Sequence, residues 1–274
     1  FMVSLISHGK LSSILEPSCG KGIFLQKLQE NGFTKTSAYE IDTDLAREFP
    51  QVKYESFISS PLSEMFDVII GNPPYIRWKN LEQELKDELQ RSPLWNRYFN
   101  SLCDYLFIFI LKSIEQLNEN GELIFICSDY WMNTTHSQTL RDYMCRNGYF
   151  ESIYHFKEAP LFEKVTASFV IFKFIKSHTQ TTQPIQLFSY NTKGKPTAEE
   201  LHSGTCFDKQ EIPQFKENGR WLLTTEQSQK ELEDFETICI KRHGLFDVEL
   251  HRLGEYCDIG NGMVSGLDAA FKVS

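Results

Sequence analysis

Short strand-forming runs alternate with helical patterns through the first 175 residues, and this alternation constrains the fold more than any other feature. A chain with this order builds a mostly parallel sheet with helices packed on its faces. The near-continuous apolar run at 66–71 supports this interpretation, because a strand buried on both faces lacks polar alternation. The sequence therefore predicts an α/β fold with a seven-stranded, doubly wound sheet.

The boundaries of the elements follow from the same alternation. Predicted strands lie at 13–17, 37–41, 52–54, 66–71, 122–128, 150–156 and 166–175, and the last two are expected to form an antiparallel hairpin at one edge of the sheet. Predicted helices lie at 23–31, 81–90, 102–117 and 134–146, and a further short helix is expected after the second strand. Asn120-Gly121 is typical of a C-cap for the 102–117 helix.

A change of composition at 176–184 divides the chain, because this polar run is typical of a loop or linker. Beyond it the sequence predicts a strand at 185–190, charged helical pieces and a helix at 225–241. The chain starts at Phe1 rather than Met and stops at Ser274, directly after an apolar segment. It is therefore expected to be a fragment of a longer protein.

Composition excludes several classes of protein. No apolar run approaches the roughly 20 residues that cross a bilayer, and no secretory signal is visible. Seven cysteines without paired spacing argue against a disulfide framework or a metal site and favour the cytoplasm. The net charge of −9 argues against a nucleic-acid partner, unless a separate basic module supplies most of the backbone contacts.

A glycine-containing turn, Glu16 to Gly22, follows the first predicted strand. Open α/β sheets bind cofactors at this position, and Glu40, twenty residues past Gly20, can accept hydrogen bonds from a ribose diol. The turn lacks the third glycine of a dinucleotide fingerprint and the Gly-Lys-Ser/Thr of a phosphate-binding loop. An acidic Glu16 suits a cationic ligand such as S-adenosylmethionine, although a plain tight turn remains the alternative.

Asn72-Pro73-Pro74-Tyr75 follows the fourth predicted strand. An amine conjugated to an aromatic ring is a poor nucleophile because its lone pair is delocalised. The side-chain oxygen of Asn72 and the carbonyl of Pro73 can accept both amine hydrogens and free that lone pair, while the two prolines give rigidity. Tyr75 offers an aromatic face to a base extruded from a duplex. The alternative is a proline-rich turn with Tyr75 in the core.

These motifs resemble those of the adenine-N6 DNA methyltransferases. LEPSCGKGIFL, YEID and FDVIIGNPPYIR are similar to the cofactor and catalytic motifs of that family, and their order resembles the γ class of restriction–modification systems. The segments 123–144 and 162–174 are similar to later motifs of the same catalytic domain. The resemblance implies a Rossmann-like class I methyltransferase fold with an antiparallel edge strand, S-adenosylmethionine as cofactor and double-stranded DNA as partner.

The resemblance also implies roles for individual residues. Asn72 and Pro73 would hold the target amine, with Tyr75 and Phe162 on the two faces of the flipped adenine. Independently of the resemblance, Arg77 and Lys79 follow the catalytic loop, so they would contact phosphates flanking the flipped base or else form a solvated charged loop. The implied cofactor-binding residues are Glu16, Pro17, Cys19, Gly20, Gly22, Glu40, Ile41, Ser56 and Phe57, with Ile41 and Phe57 enclosing the adenine of the cofactor.

Two departures from the family pattern affect cofactor binding. Ser56 stands where the family usually has an Asp that contacts the cofactor's adenine amine, so this contact is expected to be weaker or to shift to Glu55. The family's upstream motif is almost wholly missing, and Phe1–Ser7 is the expected end of its helix. The fragment alone is therefore expected to bind the cofactor poorly.

The sequence as a whole predicts three regions. Residues 1–176 would form the catalytic domain, 177–258 an α/β extension and connector, and 259–274 the start of a target-recognition region, with a generic glycine-rich turn as the alternative for the last. The predicted reaction is methylation of adenine N6 at a specific DNA sequence, without a metal and with a fused or associated restriction endonuclease. Two alternatives stay open: methylation of protein glutamine or ribosomal RNA, and a non-catalytic DNA-recognition subunit.

Overall fold

One sheet of nine strands runs through the part of the chain that the computed structural model describes, residues 1–162, 167–179 and 181–241. The strands are β1 (Ile14–Glu16), β2 (Thr36–Tyr39), β3 (Val52–Lys53), β4 (Phe66–Gly71), β5 (Leu117–Ser128), β6 (Gly148–His155), β7 (Phe169–Lys176), β8 (Ile185–Tyr190) and β9 (Phe207–Ile212). Their order across the sheet is β3-β2-β1-β4-β5-β7-β6-β8-β9. Strand β1 therefore lies between β2 and β4, where the predicted cofactor and catalytic motifs meet.

Most neighbouring strands are parallel, which places their carboxyl ends on one side of the sheet. Strand β7 is antiparallel to both β5 and β6, and β9 is antiparallel to β8. The predicted hairpin of the sixth and seventh strands is present, but it lies inside the sheet because β8 pairs with the outer side of β6. The expectation of that hairpin at an edge was wrong, and the antiparallel edge strand is β9.

The helices lie between the strands as expected for an α/β fold. They are α1 (Ile23–Glu30), α2 (Gln83–Arg91), α3 (Pro93–Tyr98), α4 (Tyr105–Glu115), α5 (Gln138–Asn147), α6 (Ala198–Ser203) and α7 (Glu226–Lys241). Short 3₁₀ turns lie at Met2–Leu5, Trp78–Asn80, Tyr130–Met132 and Thr135–Ser137. None of the helices in the described ranges is both long and apolar enough to traverse a lipid bilayer.

Helix α4 is almost wholly buried, since every residue from Tyr105 to Ile114 is buried. Its one cation, Lys112, is 2% exposed, and the ammonium donates to the carbonyl oxygens of Phe57, Ile58 and Ser60. A buried charge is tolerated only where it is hydrogen-bonded. Lys112 thereby holds the turn at 57–60, which includes the predicted cofactor residue Phe57 and directly follows Ser56.

The chain between α4 and β5 differs from the prediction. The helix ends at Glu115, and β5 begins at Leu117, so Asn120 and Gly121 lie within the strand instead of capping the helix. Leu117 pairs with Phe66, and the pairing of β4 and β5 then shifts register before Val68. Asn120 has a φ of 62° at this irregularity. The left-handed residue therefore marks a bulge, which local composition does not distinguish from a helix cap.

Two further regions differ from expectation. Residues 42–50 form turns in place of the short helix expected after β2, and Ala46 has a φ of 51° there. Strand β9 lies in the stretch expected to be helical. The compact unit runs from Phe1 to Thr225, so β8 and β9 belong to it, while α7 falls in a second unit. The division after residue 176 thus lies inside one sheet, and the functional division of the chain stays a prediction.

Candidate active site

The carboxyl ends of β1, β2 and β4 are adjacent because β1 pairs with both neighbours. Glu16 ends β1, Glu40 directly follows β2, and Asn72 directly follows β4. Residues far apart in the sequence are thereby brought to one side of the sheet, where open α/β folds bind ligands. The structure thus brings together the two predicted motifs, which are about 50 residues apart in the chain.

The turn after β1 requires glycine at Gly22. Its φ is 75°, and a Cβ built there would lie 2.3 Å from the Phe49 ring. Gly20 also has positive φ, 54°, and its amide donates to Glu40 Oε2 at 2.7 Å. The Gly22 amide donates to the Cys19 carbonyl at 2.8 Å. The left-handed backbone turns the Gly20 amide toward β2, so the turn and Glu40 form one hydrogen-bonded unit.

Backbone amides on both sides hold the Glu40 carboxylate. One oxygen accepts from Gly20, and the other accepts from Ile41 at 2.9 Å and Asp42 at 3.0 Å. The side chain is 9% exposed. Three charge-assisted hydrogen bonds fix the position of the carboxylate before any ligand binds. Glu40 is therefore ready to accept further hydrogen bonds from a hydroxyl pair.

The Glu16 carboxyl, unlike that of Glu40, has an oxygen without a hydrogen-bond partner among the described residues. This oxygen is Oε2, and the residue is 1% exposed. Burial raises the pKa of the carboxyl well above its ordinary range, and the nearby Glu40 carboxylate adds to the shift. A buried carboxylate without a partner is costly unless a cation compensates it. The residue therefore fits the ammonium or sulfonium of S-adenosylmethionine.

The rest of the turn packs closely on β4. A Cβ built at Gly71 would lie 3.5 Å from Pro17 and 3.8 Å from Glu16, which is ordinary van der Waals contact, so the ends of β1 and β4 are closely packed at this position. Cys19 is 6% exposed, and burial together with the Glu16 and Glu40 carboxylates raises the pKa of its thiol to about 12. The thiol is therefore neutral at physiological pH and can line a site without acting as a nucleophile.

The residues expected around the cofactor's adenine differ in exposure. Ile41 is 60% exposed, so its side chain is accessible to a flat ligand. Phe57 is 2% exposed, and its ring packs against Tyr39 and Phe109. Ser56 Oγ accepts from the Ile58 amide at 3.2 Å. Phe57 thus offers little surface in this conformation, and the enclosure of adenine by Ile41 and Phe57 stays a prediction.

In the catalytic loop, Asn72 is exposed and Pro73 is buried beneath it. The hydroxyl of Tyr75 donates to Asn72 Oδ1, and the carbonyl of Asn72 accepts from Ser18 Oγ at 3.4 Å. The Ser18 contact joins the catalytic loop to the cofactor turn. The side-chain oxygen that would receive a substrate amine is therefore already oriented by a donor, and its second lone pair can accept a further hydrogen bond.

A cluster of three aromatic side chains, Tyr75, Phe162 and Phe169, lies at this loop. The ring of Phe169 lies 6.2 Å from Tyr75 and 4.9 Å from Phe162, measured between centroids, and both contacts are edge-to-face. Phe162 is 37% exposed. Phe162 and Tyr75 therefore both contact Phe169, at the end of the sheet where β7 begins. Phe169 was not predicted from the sequence, because an aromatic residue within a buried strand carries no signal of its own.

Three polar residues next to Phe169 form a hydrogen-bonded cluster that also was not predicted. His155 Nε2 lies 2.9 Å from Asp129 Oδ2 and 3.1 Å from Ser168 Oγ, and the Ser168 hydroxyl donates to Asp129 at 2.6 Å. The two hydrogen bonds lower the pKa of Asp129 although burial opposes them. The cluster ties the ends of β5 and β6 to the residue that precedes Phe169.

Comparison with known proteins gives concordant results. The family model described as Eco57I restriction-modification methylase matches residues 11–162, more than half of the chain. The type II methyltransferase M.HindII of Haemophilus influenzae Rd is 42% identical over 280 aligned positions, covering 100% of this chain and 53% of that protein. M.HincII of Haemophilus influenzae is 40% identical and covers 90% of this chain and 49% of that protein.

Among solved structures, a chain of a type I R-M system has a TM-score of 0.62 at 11% identity, covering 87% of this chain and 62% of that one. At this identity the likeness concerns the fold alone, and the same fold is found in a structure from Listeria monocytogenes described as a putative class I S-adenosylmethionine-dependent methyltransferase, with a TM-score of 0.54 at 20% identity, covering 69% of this chain and 61% of that one. The chain spans about half the length of the curated relatives it matches.

Proposed function

The chain belongs to the Eco57I restriction-modification methylase family, and from that premise we propose that it methylates the exocyclic N6 amine of adenine in DNA, with S-adenosylmethionine as methyl donor. One observation carries the proposal. A buried acid with one unpartnered oxygen among the described residues, Glu16, ends the strand next to the one that leads into Asn72-Pro73-Pro74-Tyr75. A site for a cationic donor thus adjoins a site for a planar amine.

The acceptor side of the site supports amine chemistry. The Asn72 side-chain oxygen and the Pro73 carbonyl would accept the two amine hydrogens, which draws the nitrogen toward tetrahedral geometry. The nitrogen then forms a bond to the methyl carbon as the carbon–sulfur bond breaks, and the proton lost from nitrogen passes to solvent. Because positioning and two acceptors carry the reaction, it needs no covalent enzyme intermediate.

The aromatic residues support a base as the acceptor. The centroids of the Tyr75 and Phe162 rings both lie within 6.2 Å of Phe169, and Phe162 retains an exposed surface. A base extruded from a duplex gains stacking energy between aromatic side chains, which offsets the cost of leaving the stack. A glutamine side chain would gain no such stacking, so these rings favour a nucleobase over a protein substrate.

The relatives favour DNA over RNA. The relatives M.HindII and M.HincII carry the name type II methyltransferase, and we propose double-stranded DNA and an associated or fused restriction endonuclease as partners of the whole protein. The acidic net charge is compatible with this proposal if the regions that the relatives have beyond this chain supply most backbone contacts.

The test uses the full-length protein with labelled S-adenosylmethionine, plasmid DNA and, in parallel, total cell protein and RNA. We expect label in DNA, recovered as N6-methyladenine on nucleoside analysis and located at one sequence motif by methylome sequencing. Label on protein or RNA alone would overturn the choice of substrate. Label recovered as a methylated cytosine would overturn the choice of base. Cofactor binding without transfer to any of the three would indicate a non-catalytic subunit.

A further inference from the structure

Beside the catalytic loop lies a second concave surface that the chemistry above does not use. It is a cavity of about 450 Å³, and the catalytic loop runs directly into its lining. The residues that the argument uses are Arg77, Trp78, Lys79, Leu102, Tyr130 and His136. We call this surface the flanking cavity.

The backbone fixes the flanking cavity relative to Tyr75. Only Ile76 lies between Tyr75 and Arg77, so the Cα atoms of these two residues are at most about 7 Å apart. The backbone of Arg77 forms an antiparallel bridge with Asp104, and the Tyr105 amide donates to the Ile76 carbonyl at 2.9 Å. The start of α4 therefore anchors the chain that leaves the catalytic loop. Tyr130 follows the carboxyl end of β5, so the cavity opens on the same side of the sheet as Asn72.

The polar groups at the exposed rim of the cavity are cationic or neutral. Arg77, Lys79 and His136 are all exposed there, in a chain whose net charge is −9. One carboxylate, Asp104, is also in the lining, but it is buried and accepts from the Leu106 amide at 3.0 Å. Burial and the nearby Asp104 raise the pKa of Tyr130, so its hydroxyl stays protonated. The rim is thus locally suited to an anion.

The apolar groups of the cavity suit a flat ring. Trp78 stacks on the buried Trp95 with ring centroids 5.5 Å apart and an angle of 18° between planes, so the orientation of its indole is fixed. Leu102 is 66% exposed and adds apolar surface beside the indole. Aromatic faces combined with cations are the means by which proteins hold unpaired nucleotides.

We propose that the flanking cavity binds the nucleotide that neighbours the extruded adenine on the target strand. Arg77 and Lys79 contact its phosphates, and Trp78 supports its base. This inference rests on the proposed function and adds to it a site for the adjoining nucleotide. Holding that nucleotide stabilises the distorted strand on the protein and helps to offset the energy of base extrusion.

The first test is a thermodynamic cycle between protein and DNA. The full-length protein and its Trp78→Leu variant are titrated with a duplex carrying the methylated motif and with duplexes that have an abasic site on either side of the target adenine. We expect Trp78→Leu and the abasic site at one of the two positions each to weaken binding about fivefold, and the losses not to add when combined. Losses that add at both positions would overturn the proposal, because independent effects, including a folding defect, are additive.

The second test measures phosphate contacts. Log affinity falls as log salt concentration rises, and the Arg77→Ala/Lys79→Ala pair should make this negative slope shallower by about two. The same pair should weaken binding roughly tenfold near physiological salt. The charge-preserving pair Arg77→Lys/Lys79→Arg should restore the slope. Lys35→Ala, an exposed lysine directly before β2 at the opposite end of the strands, is the matched control and should leave the slope unchanged.

The two proposals can fail separately. If the wild-type protein methylates adenine in the duplex while the paired variants keep the wild-type salt slope, the proposed function stands and the cavity has no phosphate contact. If the wild-type protein binds the duplex with the expected coupling but transfers no methyl group, the cavity proposal stands and the proposed reaction is wrong.

Discussion

The donor side and the acceptor side of the active site are held in different ways. On the donor side, Glu40 is fixed by three backbone amides and Gly20 by that same carboxylate. On the acceptor side, Tyr75, Phe162 and Phe169 are held by edge-to-face ring contacts. Hydrogen bonds have strict geometry, whereas packed rings tolerate small rotations. We infer that the donor side is preformed and that the acceptor side adjusts when a base enters.

The largest effect should come from removing Asn72, the proposed acceptor of the substrate amine. Asn72→Ala should lower kcat about 1000-fold, as loss of one preorganised hydrogen-bonding group does in other enzymes. S-adenosylmethionine affinity, measured by calorimetry, should stay within about twofold because Asn72 lies on the acceptor side. Tyr75→Phe keeps the ring and removes only the hydroxyl bonded to Asn72, so it serves as the control. Near-normal methylation by Asn72→Ala would remove the residue from the mechanism.

The next effect sharpens the claim that the donor side is preformed. Glu40→Ala removes three charge-assisted hydrogen bonds and a ribose acceptor, so cofactor affinity should fall about 10- to 100-fold. Because the acceptor side is untouched, kcat at saturating cofactor should remain near the wild-type value. Calorimetry and steady-state kinetics on the full-length variant measure the two quantities. A loss confined to kcat would show that Glu40 acts elsewhere.

Glu16 should give a smaller effect with a distinctive pH dependence. Because its pKa is raised in the fold, the free protein favours the protonated carboxyl. The contribution of Glu16 to the free energy of unfolding is therefore present at low pH and lost as pH rises from about 4.3 through the raised value. Glu16→Gln should remove this loss, so its melting temperature should gain on the wild type as pH rises.

Cofactor binding should respond to Glu16 in the opposite sense. A cationic ligand needs the ionised carboxyl, so wild-type affinity should rise with pH while Glu16→Gln shows a flat profile, with a difference of about tenfold at neutral pH. Binding measured between acidic and neutral pH checks this. Parallel profiles for the two proteins would mean that Glu16 does not face the cation.

The smallest effect concerns the acceptor side. Ser168→Ala removes one hydroxyl that donates to Asp129 beside Phe169, and a hydrogen bond of this kind is worth about 1 kcal/mol. If the rings of Tyr75, Phe162 and Phe169 adjust to the base, KM for DNA should rise about fivefold with little change in kcat. Ser168→Thr retains the hydroxyl and should restore KM. A change in kcat alone would indicate that the rings are as rigid as the donor side.

Much of the donor side could be predicted from the sequence, because its residues lie at the ends of strands with clear signals. The strand at 66–71 was predicted at its observed bounds, and the turn before Ile23 together with Glu40 was placed correctly on the carboxyl side. The adjacency of Glu16 and Asn72 follows from the order of parallel strands. It does not require knowledge of any side-chain contact.

The acceptor side depends on contacts that the sequence does not show. Asp129, His155 and Ser168 come from three separate strand ends, and only the antiparallel insertion of β7 brings them together. Phe57, predicted beside the cofactor, packs against Phe109 of α4, and Lys112 donates to its carbonyl oxygen; the sequence indicates neither contact. Asn120-Gly121 has the local sequence of a helix cap but forms a β-bulge. The pairing of Leu117 with Phe66 overrides the local preference for a helix end at this position.

The pairing of β6 with β8 limits how far this protein can be shortened. Its outer side pairs with β8 along Ser152–His155, and Tyr154 stacks on Phe188 with ring centroids 4.4 Å apart. A truncation after residue 176 would leave the catalytic motifs intact yet expose this ladder and its aromatic face to other chains. Open strands of this kind associate edge to edge. The smallest soluble catalytic unit should therefore retain β8, with β9 to shield it.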